Sequence, residues 1–341
     1  MKKIKWKSLL NYLFLALVFV LTVWAVFHGE DFGQVVTYLA DSNPVYILPS
    51  VLCVIAFILG ESVILHYLLR TLKAPASFGH CCLYSFIGFF YSCITPSASG
   101  GQPMQAVAMR KDRIPLAVST VILAIVTITY KLVLVLIGLA VLLIRPPVLM
   151  AYLDGVKGVM YLGLGLNVVC ILGLFLLVFD PHVVRTIANW ALALIHQIRP
   201  FRDLPKQTAR IDRVVSQYQG TAEFYRSHKR VILRVFLITL VQRCLLFFVT
   251  WLTYRSFGLS GHSLPTVVSL QAMISVAADM LPLPGGMGIS ETLFLEIFQP
   301  IFGEALVLPG MMISRGISYY TQLLISAVMT GVSAFVIKEK R

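Results

Sequence analysis

Long apolar runs separated by short polar or basic stretches set the pattern of this chain, and their lengths predict membrane-crossing α-helices rather than strands. Six runs predict spans, at about Leu9–Phe27, Val45–Leu69, Ile114–Ile144, Gly158–Phe179, Val231–Thr253 and Pro309–Ile337. The third run has about 31 residues, which at roughly 1.5 Å each exceeds a bilayer core of roughly 30 Å, so it must tilt, kink or begin on the interface. Two more apolar runs are broken in the middle. Residues 80–108 are interrupted by Thr95-Pro96-Ser97-Ala98-Ser99-Gly100-Gly101-Gln102-Pro103, and residues 265–303 by Leu281-Pro282-Leu283-Pro284-Gly285-Gly286-Met287-Gly288-Ile289-Ser290-Glu291. Proline removes a donor and glycine weakens a helix, so a backbone opened in hydrocarbon must find partners in protein or in a water-filled cavity. Each broken run is expected to be a helical hairpin that dips into the membrane and returns.

Charge places these elements relative to the two faces. Lys2, Lys3, Lys5 and Lys7 precede the first span, Arg70 and Lys73 follow the second, Arg110, Lys111 and Arg113 precede the third, and Lys338, Lys340 and Arg341 follow the sixth. The positive-inside rule puts all of these, and both termini, in the cytoplasm. Of 28 Lys and Arg, 22 fall in cytoplasmic segments on this layout, counting Arg234 at the cytoplasmic start of the fifth span, three outside (Arg145, Lys157, Arg255) and three deep within spans (Lys131, Arg243, Arg315). Residues 29–44 carry only acids and are placed outside, with Val35, Val36, Tyr38 and Leu39 suited to a short interfacial helix. From Ser256 to Ser314 there is no Lys or Arg across 59 residues, so the second hairpin enters from outside and the first from inside. Residues 180–230 form the one substantial polar segment. Its many arginines and amphipathic stretches such as Val183–Ile198 are expected to lie against anionic inner-leaflet lipids.

The layout contains a repeat. Residues 45–144 run span, hairpin, span, and residues 231–337 do the same with every direction reversed, the inverted topology used by transporters. Gly100 to Lys131 covers 31 positions and Gly285 to Arg315 covers 30. The expected fold is therefore an all-α polytopic membrane protein with six transmembrane helices and two oppositely oriented re-entrant hairpins, one domain over residues 1–341.

Composition narrows the class. The chain is 58% hydrophobic and 13% charged with mean hydropathy +0.85, about half the charge of a soluble domain. The net charge of +13 is spent on membrane orientation, and nucleic acid is not an expected partner. Cys53, Cys81, Cys82, Cys93, Cys170 and Cys244 show no C-x-x-C or Cys/His spacing and read as core residues, so no metal or other cofactor is expected. No phosphate-binding G-x-x-x-x-G-K-[ST] is present.

Candidate chemistry lies with polar groups inside apolar runs, which are costly there and mark passages or helix pairs. They are Glu61, Lys131, Arg243, Asp279, Glu291 and Arg315, accompanied by Gln102, Gln105, Gln242 and His66. Pairing between helices, for example Glu61 with Lys131 or Glu291 with Arg315, is the alternative to a substrate path. His66 reads as a hydrogen-bonded core residue. The hairpin breaks are assigned to Pro96, Gly100, Gly101 and Pro103, and to Pro282, Pro284, Gly285, Gly286 and Gly288.

The stretch Thr95 to Pro103 followed by Met109-Arg110-Lys111-Asp112, together with Pro284 to Glu291, resembles the flippase-like transmembrane family found fused to lysylphosphatidylglycerol synthases, the multiple peptide resistance factors. The resemblance implies translocation of a lipid, with the hairpins forming the path. It also implies a stand-alone member, since no aminoacyl-transferase domain follows the sixth span, and synthesis of lysylated lipid is not expected. The reading is thus a non-enzymatic flippase or scramblase of the cytoplasmic membrane, acting on a phosphate-bearing lipid, either a phospholipid or a polyprenyl-linked carrier. Membrane lipids are its partners, and an oligomer is compatible with the sequence. The rivals are an ion-coupled carrier of a small soluble solute and a membrane-embedded transferase. A cavity open sideways to lipid favours the flippase, and the transferase needs an acid cluster such as D-x-D that the sequence lacks.

Overall fold

Helices account for the architecture, and no strand occurs among the described residues. The structure is a computed structural model that describes residues 37–38, 42–74, 76–180, 182–187, 189–190, 204–283, 286 and 288–337, without the side chains of 148 and 204–211. In chain order the helices are α1 (Pro44–Thr71), α2 (Phe78–Ile94), α3 (Gly101–Lys111), α4 (Leu116–Ile144), α5 (Pro147–Leu153), α6 (Lys157–Phe179), α7 (Leu204–Ser227) and α8 (Lys229–Ser256). They continue with α9 (Leu264–Ala278), α10 (Ile289–Phe302), α11 (Glu304–Arg315) and α12 (Gln322–Val336).

Five helical stretches among the described residues are long and apolar enough to cross a bilayer: Pro44–Thr71, Leu116–Ile144, Leu149–Phe179, Lys229–Ser256 and Glu304–Val336. They correspond to the second to sixth runs of the sequence, and the protein is a multi-pass membrane protein. The first expected span, most of the segment before α1 and the C-terminal basic cluster lie outside the described residues.

Local chemistry sets the boundaries. Asn43 caps α1 by accepting from the Val45 amide at 3.0 Å, with Pro44 in the first turn, where its missing donor costs nothing. Ser77 caps α2 and Ser263 caps α9 in the same way. Ile94 ends α2 because Pro96 forces the preceding Thr95 into an extended conformation. The Thr95 hydroxyl then serves the opened backbone, donating to the Tyr91 carbonyl at 2.6 Å while its oxygen accepts from the Gly100 amide at 2.9 Å.

The broken runs form two helical hairpins, α2/α3 and α9/α10. α1 and α8 pack along one another at the centre. Gln242 seals that contact, lying against Gly60 and donating to the Phe57 carbonyl at 2.8 Å. Around this pair the contacts are mirrored. α2 lies on α1 and on α12, whereas α9 lies on α8 and on α4, so each hairpin's first arm touches the leading helix of its own unit and the closing helix of the other. The feet of the first hairpin are fastened together: Asp112, at the end of α3, accepts from the Tyr84 hydroxyl and lies 2.6 Å from His80 Nδ1, both on α2.

Three sequence expectations change. The last span is interrupted: α11 ends at Arg315 and a π-helical turn, Gly316–Thr321, precedes α12. Such a turn re-aims the side chains around it, and the sequence does not announce it: Pro309-Gly310 lies within α11, and the turn opens on a lone Gly316. The polar segment is not free to lie wholly against lipid, because Val215, Tyr218, Ala222 and Tyr225 of α7 are buried. Tyr225 donates to the Leu68 carbonyl at 2.8 Å and Tyr218 to the Leu177 carbonyl at 3.0 Å, fixing α7 to the ends of α1 and α6. His66 is not hydrogen-bonded through Nδ1, which is buried without a partner among the described residues, and its ring instead meets Phe78 edge-on. Residues 182–187 are helical as the amphipathic pattern requires, and residues 191–203 lie outside the described residues.

α6 and α9 approach closely at Gly163, where a Cβ would stand 2.5 Å from the Val276 carbonyl oxygen and 2.6 Å from Ala277 Cα. Backbone cannot yield as a side-chain tip can, so Gly163→Leu is expected to cost at least the ~1–3 kcal/mol typical of overpacking. A thermal-shift measurement in detergent checks this, with Gly165→Leu as a control, since nothing lies within 4 Å of a Cβ there.

Candidate functional site

The two hairpin turns meet. Ser97 in the first turn donates from Oγ to the Leu281 carbonyl in the second at 3.2 Å. Ser97 and its neighbour Ala98 occupy the left-handed region, with φ of 49° and 54°. The first break is therefore made by Thr95 to Gly100, with Pro96 inside it, while Gly101 and Pro103 belong to the opening turn of α3. Gly101 matters for another reason: a Cβ there would overlap the Ser92 hydroxyl and the Gly88 carbonyl, so it lets the hairpin arms close. In the second break Gly286 and Gly288 take φ of 67° and 84°, which glycine alone adopts readily, and Pro282 and Leu283 bend the chain before them. Pro284 and Gly285 lie outside the described residues.

Beside the meeting point is a buried polar cluster. Lys131 of α4 donates from Nζ to Asp279 Oδ2 at 2.6 Å and to Asn167 Oδ1 at 3.3 Å, and lies 2.8 Å from Met280 Sδ. Tyr130 donates its hydroxyl to the other carboxylate oxygen of Asp279. The partner of Lys131 is thus Asp279 and not Glu61, which accepts from Gln105 Nε2 at 2.5 Å. That contact depends on Gly88, because a Cβ at this position would overlap the Gln105 amide. Glu291 and Arg315 do pair, at 2.7 and 2.8 Å, with the guanidinium also over the Tyr319 ring. Gln102 donates to Thr127 Oγ1 at 3.0 Å.

Arg243, near the middle of α8, differs from the other cations. Its guanidinium lies 3.6 Å from the centre of the Tyr130 ring and 4.8 Å from that of Phe57. It makes no ion pair among the described residues, and its Nε is buried without a hydrogen-bond partner. Cation–π contacts of this kind contribute about 0.5–2 kcal/mol and leave the N–H groups free for an anion.

Three cavities follow one another through this region. The widest, about 590 Å³, lies between α3, α4 and α6. Its outer wall includes Val107 and Leu116, each 49% exposed on the outside of the bundle, and its inner end is made by Gln102, Lys131 and Asp279. Tyr130 and Asp279 also line the next cavity, about 200 Å³, which contains Arg243, Ser97 and Gly286. That cavity shares Ser275, Ser290 and Arg315 with a third of about 140 Å³, lined by Gln271, Thr250, Ser314 and Gln322. Thr250 bonds to both Gln271 (3.0 Å) and Ser314 (2.9 Å), so the third cavity has a hydroxyl- and amide-rich wall.

Of the residues singled out in the sequence, Gln102, Lys131, Arg243, Asp279 and Arg315 line these cavities, and Glu291 joins them through Arg315. Glu61 and Gln105 bond to each other outside the three linings. Tyr130 and Asn167 were not among them, and Ser97 stood within the first broken stretch without a role assigned to it. A tyrosine and an asparagine in apolar helices look like ordinary core residues, and only Lys131 beside Tyr130 marks the place.

No curated protein matches this sequence. Residues 11–326 match the family described as the lysylphosphatidylglycerol synthase TM region, which covers most of the chain and both hairpins. The protein therefore belongs to that family of membrane regions.

Proposed function

We propose that this protein translocates a phosphate-bearing lipid, a phospholipid or polyprenyl-linked carrier, across the cytoplasmic membrane as a non-enzymatic flippase or scramblase. The observation that carries this reading is the cavity of about 590 Å³ that opens on the apolar outside of the bundle and leads inward to the Lys131–Asp279 pair. A headgroup can enter such a groove from the side while its tails stay in the bilayer, whereas a carrier of a soluble solute needs a path sealed from lipid.

In the orientation we propose, both termini are cytoplasmic, six spans cross the membrane, and α2/α3 and α9/α10 are re-entrant from inside and outside respectively. The mirrored contacts of the hairpins with α1, α12, α8 and α4 support an inverted repeat over 45–144 and 231–337. The wide groove then faces the inner leaflet and the Gln271–Ser314 cavity faces outward. Tyr130, Asp279 and Lys131 stand between them as a gate, and Arg243 waits beyond it for an anionic group. A phosphate competes with Asp279 for Lys131 and gains the unpaired Arg243, and either contact is a charge-assisted hydrogen bond of roughly twice the ordinary strength.

Reconstitution in liposomes tests this, by following the loss of a leaflet-specific fluorescent phospholipid signal and, separately, uptake of a labelled soluble anion. Lipid movement faster than in protein-free liposomes is expected, without anion uptake. The variant Gly286→Leu is expected to lose it, because its φ of 67° disfavours a side chain and its Cβ would stand 2.8 Å from Ser290 Oγ. Anion uptake without lipid movement overturns the proposal.

A further inference from the structure

A fourth cavity, larger than those three, lies apart from the path. It is a groove of about 880 Å³ between α4, the end of α6 and the start of α8, and it shares no lining residue with the three cavities above. Its length is apolar, with Leu136, Phe175, Leu176 and Leu233 all strongly exposed along it. One end is charged, made by Asp180, Arg226 and Lys229.

The charges at that end are unequal in availability. Asp180 already accepts from the His182 amide at 2.8 Å, and Arg226 makes only a loose, exposed contact of 3.7 Å with Glu223. Lys229, the first residue of α8, is exposed and has no ion-pair partner among the described residues. The excess of positive charge is complementary to a phosphate. From Lys229 the apolar wall runs along α8 to Phe236, about 10 Å at the helical rise of roughly 1.5 Å per residue, and continues onto Leu132 and Leu136 of α4. The volume is within the roughly 300–1,000 Å³ of ligand sites, and basic pockets between membrane helices are known headgroup sites.

We propose that this groove binds one anionic glycerophospholipid of the inner leaflet, its phosphate held by Arg226 and Lys229 and an acyl chain lying along α8 toward Phe236. The name of the leaflet rests on the orientation proposed above; the site itself does not. Such a lipid is a resident ligand wedged against the outer side of α4, the helix that carries Tyr130 and Lys131 on the path.

The test uses the full chain in liposomes containing phosphatidylglycerol with a diazirine midway along one acyl chain, compared with phosphatidylcholine carrying the same chain. Photolabelled peptides covering 175–179 and 232–236 are expected, with phosphatidylglycerol preferred about fivefold or more. Unlabelled phosphatidylglycerol should compete, and Arg226→Gln with Lys229→Gln should reduce the preference to that of phosphatidylcholine. Equal labelling by the two probes, labelling elsewhere only, or a groove closed to both by another segment or a second copy overturns the inference. Competition on the unaltered protein keeps the test valid if the double variant misfolds. Labelling requires no lipid movement, so this result is independent of the outcome for translocation.

Discussion

Asp279→Leu is expected to yield little folded protein, whereas Asp279→Leu combined with Lys131→Met is expected to fold and to be inactive. The carboxylate is the ion-pair partner of Lys131 and also accepts from Tyr130, so its loss strands an ammonium in the interior beside Asn167, the Met280 sulfur and the Tyr130 ring, none of them charged. An uncompensated charge at mid-span costs about 2.5–3.5 kcal/mol on insertion scales, and breaking a buried pair from one side costs about 3–5 kcal/mol. Replacing both partners by apolar side chains of similar size removes the penalty, because the desolvation of the pair disappears with its attraction. Fluorescence-detected size-exclusion chromatography of the two single variants and the double variant checks the first part, and the liposome assay checks the second. Equal folded yields for Asp279→Leu and the double variant would contradict the ion-pair account. Lipid movement by the double variant would show that the pair is structural and not a gate.

The second large effect is expected at Arg243, with the opposite signature. Its guanidinium rests on Tyr130 and Phe57 and makes no direct ion pair among the described residues; Glu61 attracts it only from beyond ion-pair distance and keeps its bond from Gln105 when the cation is removed, so Arg243→Ala breaks no direct pair. Folded yield should be maintained, while lipid movement falls about 10- to 100-fold, the equivalent of one lost hydrogen bond to a charged group at about 1.5–3 kcal/mol. Arg243→Lys keeps the charge but loses the flat stacking surface and the fork of donors, so intermediate activity is expected. Wild-type rates in well-folded Arg243→Ala would remove this residue from the path.

The spans and hairpins were legible because they depend on local pattern. Apolar length located α1, α4, α6 and α8 to within a few residues, and the clusters at Thr95–Pro103 and Leu281–Glu291 located both turns. Pairing was less legible because it depends on how distant helices rotate against each other. Glu291 and Arg315 lie 24 positions apart and were matched, whereas Lys131 and Asp279 lie 148 apart and were not. Sequence rules also favour proline and glycine as the residues that turn a chain, yet the left-handed positions of the first turn are Ser97 and Ala98. Their strained backbone is held by the surrounding bonds from Thr95 and to Leu281, which no composition rule can foresee. The π-helical turn after Arg315 was hidden for a similar reason, since its residues do not differ in kind from those of a regular helix.

The two ends of the first hairpin are fastened in different directions. Its feet are joined to each other through a carboxylate shared by His80 and Tyr84, whereas its tip is tied outward: Ser97 donates to the Leu281 carbonyl of the second turn, Gln102 to Thr127 of α4, and the Tyr319 hydroxyl of the π-helical turn to the Cys93 carbonyl. Mechanically the tip is a junction of three elements and not a free end. A shift of the second turn, of α4 or of the turn after Arg315 is therefore passed to residues 93–102, where the Arg243 cavity and the sideways groove share a wall.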